Sequence, residues 1–69
     1  MSTISLTING EPHRTGEGTT LAELLTGLGV PLASVVVERN GRVVERGALP
    51  AVTLEHGDRL EVVRFVAGG

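Results

Sequence analysis

Sixty-nine residues, a net charge of −2 and no cysteine bound what this chain can do. A domain of this length buries only ~60% of its unfolded surface, so its core is thin and leaves no room for a deep internal active site. Without cysteine, disulfide stapling, thiolate catalysis and Cys-based metal centres are excluded. A pI near 5.5 and six dispersed basic residues, all Arg, likewise exclude the clustered cations with which a nucleic-acid binder neutralises phosphates.

Thr3 to Asn9 alternates, with Ile4, Leu6 and Ile8 on one face and Ser5, Thr7 and Asn9 on the other, the period-2 pattern of a half-buried strand. Asn9-Gly10 marks a hairpin turn, and Pro12 confines the second strand, from about Glu11 to Thr15, to a sheet edge. Gly16-Glu17-Gly18 lacks the following Lys-Ser/Thr of a phosphate loop and reads as a plain turn. Thr20-Leu21-Ala22-Glu23 has capping-box spacing and starts a helix. Leu21, Leu24, Leu25 and Leu28 form one apolar stripe predicted to pack on the sheet, Gly29 stands at the left-handed C-cap, and Pro31 blocks continuation.

Ser34 to Arg39 and Arg42 to Val44 predict a second hairpin around Asn40-Gly41. Gly47 to Thr53 is expected to be irregular, anchored to the core by Leu49 and Val52. His56-Gly57-Asp58 then turns the chain into a final strand, Arg59 to Val66. No apolar run approaches the ~18 residues of a membrane span, and Met1-Ser2-Thr3 opens no leader-like segment, so the expectation is a soluble cytoplasmic protein without membrane or nucleic-acid partners. The element order predicts an α+β, β-grasp (ubiquitin-like) domain over residues 1–69. One helix covers one face of a mixed four- to five-stranded sheet, the last strand enters the sheet centre beside the first, and residues 66–69 project as a flexible tail.

The chemistry-bearing feature is the terminal Val66-Ala67-Gly68-Gly69. Lacking Cβ atoms, a Gly-Gly end can thread a narrow channel in a partner enzyme and present the Gly69 carboxylate to an activating nucleotide, which is the behaviour of a carrier. His13 and His56 lack carboxylates at ligand spacing, so no metal site is expected. Glu38, Glu45, Glu55, Asp58 and Glu61 read as a solvated surface without a nucleophile-base set, which argues against an enzyme. With Leu60 and Val62 facing the helix, Glu61, Val63 and Phe65 fall on the opposite face. Val63 and Phe65 are therefore exposed apolar side chains at the root of the tail, and with Val66 they predict a docking surface.

The whole chain resembles the ThiS family, ubiquitin-like sulfur carriers of thiazole (thiamine) biosynthesis. The resemblance rests on Asn9-Gly10, the Thr20-to-Leu25 helix start, Val37-Glu38-Arg39-Asn40, Gly57-Asp58-Arg59-Leu60-Glu61-Val62 and Arg64-Phe65-Val66-Ala67-Gly68-Gly69. Molybdopterin-synthase small subunits typically carry a Phe-Pro-Pro segment where this chain has Val63-Arg64-Phe65. The resemblance implies no bound cofactor. An E1-like adenylating enzyme of the ThiF type would use ATP and Mg²⁺ to activate the Gly69 carboxylate, sulfur derived from cysteine would convert it to a thiocarboxylate, and a thiazole synthase of the ThiG type would accept that sulfur. On this view Gly69 carries the chemistry, Gly68 and Ala67 give access to the channel, and Val63, Phe65 and Val66 dock. The alternatives are a ubiquitin-like carrier or modifier for another pathway, and a binding module similar to TGS domains, which need no free Gly-Gly end.

Overall fold

The computed structural model describes residues 2–65. Its elements are β1 (Thr3–Ile8), β2 (Glu11–Gly16), α1 (Leu21–Gly27), β3 (Val35–Arg39), β4 (Arg42–Val44) and β5 (Arg59–Arg64), with 3₁₀ turns at Leu32–Ser34 and Arg46–Ala51. The five strands form one mixed sheet in the order β2-β1-β5-β3-β4, with β1 and β5 parallel and the remaining neighbours antiparallel. This is the β-grasp arrangement expected from the sequence: the last strand lies at the centre beside the first, and Pro12 sits on an edge strand.

Local chemistry accounts for each element. The two Asn-Gly turns place Asn9 and Asn40 at φ 51° and 53°, with Gly10 and Gly41 also at positive φ, the left-handed pair that a two-residue hairpin requires. The capping box at α1 is complete: Thr20 Oγ1 accepts from the Glu23 amide at 3.1 Å and Glu23 Oε1 accepts from the Thr20 amide at 2.9 Å. At the other end the Val30 amide donates to the Leu25 carbonyl and the Gly29 amide to that of Thr26, the bond pattern of a Schellman motif, with Gly29 at φ 76°.

That motif corrects one expectation. Leu28, predicted to complete the buried stripe, is 47% exposed. The helix ends at Gly27, and Leu28 is its C-cap with non-helical ψ, so its side chain leaves the stripe; Val30, after the turn, packs against the core instead. Several boundaries also move: β1 ends at Ile8 rather than Asn9, and β2 runs on through Gly16, which the sequence placed in the turn. Ser34 belongs to a 3₁₀ turn rather than to β3, and β5 stops at Arg64, two residues before the predicted end. The stretch expected to be irregular contains the Arg46–Ala51 3₁₀ turn, which buries Leu49 and leaves Val52 half-buried against the core.

The core lies between α1 and one face of the sheet. Leu21, Leu24 and Leu25 meet Ile4, Leu6 and Ile8 of β1, Val35 and Val37 of β3 and Leu60 of β5, with Leu49 and Leu54 closing the end. The opposite face carries no second layer among the described residues, and there Val36, Val43, Val63 and Phe65 remain exposed. No described helix is long and apolar enough to cross a membrane.

Candidate functional site

β5 is the last described element before the terminal residues. Its alternation puts Leu60 in the core, leaves Val62 half-buried against it, and directs Arg59, Glu61 and Val63 to the open face. Phe65, just past the strand, donates its amide to the Ser34 carbonyl at 2.9 Å, extending the β3 ladder to the root of the tail. Val63 is 59% exposed and lies directly across from Val36, 43% exposed; Val43 and Phe65 are exposed at 65% and 39%. The structure thus puts Val63 and Phe65 on an open apolar surface, as the alternation requires. Val66, Ala67, Gly68 and Gly69 lie outside the described residues.

Both hairpin turns grip this strand, a role their sequence does not advertise. β1 ends at Ile8 and pairs with β5 only at Thr7–Arg59 and Ile8–Leu60. Beyond that point the Asn9 side chain takes over, its Oδ1 accepting from the Val62 amide at 2.8 Å and its Nδ2 donating to the Val62 carbonyl at 3.2 Å. A carboxamide has one acceptor and donors disposed like a peptide group, so it can stand in for the next strand residue. From the other side, Asn40 Oδ1 accepts from the Arg59 amide at 2.9 Å while the Asn40 amide donates to the Arg59 carbonyl at 2.8 Å. The left-handed conformation that makes the turn also aims each side chain at β5.

Asp58, at the entrance to β5, is 4% exposed. Burial alone would push its carboxyl up. Hydrogen bonds from the Glu55 amide (2.8 Å), Asn40 Nδ2 (3.0 Å) and Arg39 Nε (3.0 Å), with the Arg39 charge beside them, outweigh burial and hold it below the usual carboxylate range. Arg39 also reaches Glu55 at 3.2 Å. The reading of Asp58 as a solvated acid is therefore corrected: it is a buried hub joining the second turn, β3 and the approach to β5. Arg39-Asn40 and Asp58 stand 18 or 19 residues apart, so only the β3–β5 register brings them together. His56 is likewise structural, its Nδ1 accepting from the Ser5 amide at 3.1 Å in continuation of the parallel ladder. Among the described residues no three His, Asp or Glu side chains converge as metal ligands.

The described part of the site is thus a central strand, hydrogen-bonded on both sides, with an apolar open face. The ThiS family model matches residues 6–69. The chain belongs to the ThiS family. It is 42% identical over 62 residues to the sulfur carrier protein ThiS of Thermus thermophilus, covering 90% of this chain and 95% of that one. It is also 53% identical over 62 residues to a thiazole synthase of Magnetococcus marinus, covering 90% of this chain but spanning only 19% of that protein. The crystal structure of the thiamine biosynthesis protein ThiS from Geobacter metallireducens superposes with a TM-score of 0.81 at 42% identity, covering 96% of this chain and all of that one.

Proposed function

We propose that this ThiS-family chain is a sulfur carrier for thiazole formation in thiamine biosynthesis, acting as co-substrate rather than catalyst. The observation that carries the proposal is the extent of the family match, which runs through the core and β5 to the terminal Gly68-Gly69. A carboxylate is a poor electrophile. Attack of a Gly69 carboxylate oxygen on the α-phosphate of ATP, in an E1-like enzyme that holds Mg²⁺, releases pyrophosphate and leaves an acyl-adenylate. A cysteine-derived persulfide then displaces AMP to give an acyl disulfide, a second thiol cleaves its S–S bond while itself becoming a disulfide, and the thiocarboxylate released is a soft nucleophile tethered to a protein that a specific acceptor can recognise. Having no cysteine, the carrier cannot intercept its own sulfur.

In this reading the acceptor is thiazole synthase, supported by the relatives of that name that contain a segment like this chain within a longer protein. Val63, Phe65 and Val66 dock the partner, Ala67 and Gly68 thread its channel, and the chemistry runs in the cytoplasm. Intact mass spectrometry after incubation with the adenylating enzyme, ATP, Mg²⁺ and a cysteine-desulfurase source tests the proposal. The expected result is a mass shift equal to replacing one oxygen by sulfur, localised to Gly69 and absent without ATP. No shift, with the enzymes active on a control carrier, overturns it in favour of a modifier or binding module.

A further inference from the structure

Glu38 on β3 and Glu61 on β5 are direct cross-strand partners, and both line a shallow recess on the open face. Side chains so paired leave the sheet with Cβ atoms ~5 Å apart, and like charges in that position destabilise a sheet. Nothing described in the chain relieves them: both ion pairs among the described residues belong to Arg39, with Glu55 and Asp58. Arg59 lines the same recess without forming an ion pair with either carboxylate. Gly10 and Gly41 of the two turns leave the rim open, since a Cβ built at either would meet nothing within 4 Å.

The recess adjoins the apolar patch. One step along the strands from the Glu38–Glu61 pair lies the exposed Val36–Val63 pair, and Val43 stands opposite Glu38 on β4. Any partner that covers these valines also strips water from the two carboxylates. Desolvating two adjacent anions is strongly unfavourable unless the partner supplies a cation. A planar guanidinium, with five donors in a fixed fork, can serve both carboxylates at once, whereas an ammonium acts as a point charge.

We propose that the Glu38–Glu61 recess receives an arginine side chain of thiazole synthase when that enzyme covers the open face. The proposal rests on the reading of this face as the docking surface for the acceptor. A repulsion left unrelieved in the free carrier then becomes an attraction in the complex, which gives specificity to a patch whose valines alone discriminate poorly.

Calorimetric titration into thiazole synthase at low and high salt, alongside urea unfolding, tests this with wild type, the double variant Glu38→Gln/Glu61→Gln, the single variant Glu61→Gln, and Val63→Asp. The double variant is expected to be at least as stable as wild type yet to bind about tenfold more weakly or worse, with a shallower salt dependence. The single variant is expected to lie between them. Wild-type affinity in the double variant, together with loss of binding in Val63→Asp, would overturn the arginine while keeping the docking face. Wild-type affinity in Val63→Asp would overturn the docking face itself. A stability loss in both Gln variants would make Arg59 the counter-ion within the chain and overturn the proposal.

Discussion

The two faces of the sheet are built from the same strands by the same alternation, yet they do different work. On the helix side Ile4, Leu6, Ile8, Val35, Val37 and Leu60 are buried in one aliphatic layer. On the open side their immediate neighbours include Val36, Glu38, Glu61 and Val63, two exposed valines and two carboxylates in direct opposition. A period of two lets β5 bury one set of side chains and leave the next exposed, without either set constraining the other. In so small a domain the open face can therefore be varied at little cost in stability, whereas the helix-facing surface cannot.

The largest expected effect tests the buried side. Leu25→Ala removes a fully buried side chain and should destabilise the domain by about 2–5 kcal/mol in urea unfolding, whereas Leu28→Ala, one turn on but exposed at the C-cap, should cost under about 0.5 kcal/mol. Similar losses at both positions would return Leu28 to the stripe and break the contrast.

Next in size is Asp58, the one buried charged side chain among the described residues. Asp58→Ala leaves the Glu55 amide, Asn40 Nδ2 and Arg39 Nε without their acceptor and should cost about 3 kcal/mol. Its carboxyl is held lower in the folded than in the unfolded chain, so the folded state releases that proton more readily. The resulting stability is fully present above the unfolded value of about 3.8 and is lost as pH falls through the folded one. Unfolding curves of wild type should therefore weaken as pH drops below about 4, and those of Asp58→Asn should be flatter across the same window. Parallel profiles would remove Asp58 from that role.

A smaller effect separates turn from clamp. Asn9→Gly keeps the left-handed turn but removes both bonds to Val62, and it should cost about 1–2 kcal/mol; the loss should appear as faster amide exchange at Val62. Unchanged exchange there would mean that the ladder alone holds β5. Smallest in stability is Phe65→Ala. At this half-open position it should change unfolding by under about 1 kcal/mol while weakening partner binding by about 1–3 kcal/mol. A large stability loss with unchanged affinity would move Phe65 to the core side of the comparison.

Much of the fold was legible in the sequence because its signals are local. Capping-box spacing at Thr20 and Glu23, the two Asn-Gly turns and the alternation in β1 each concern residues within a few positions of one another, and each appears where expected. The exposure of Val63 and Phe65 followed from parity alone. Leu28 was misplaced because helical periodicity cannot see where the last turn unwinds: the Schellman bonds end the stripe one residue early and hand its place to Val30.

Propensity, turn chemistry and hydrophobic period act over a handful of residues, so the elements, their polarity and the aliphatic core were already written in the chain. Which distant groups meet depends instead on how the strands pair in space. The β3–β5 register sets Glu38 against Glu61 and brings Arg39 and Asn40 to Asp58, and the parallel β1–β5 pairing delivers the Asn9 carboxamide to Val62, 53 residues away. Register is a property of strands that are paired in space, and a one-residue slip would turn each of these side chains to the other face. That is why Asp58 and the two asparagines read as ordinary turn residues in the chain, and as the fixtures of β5 in the fold.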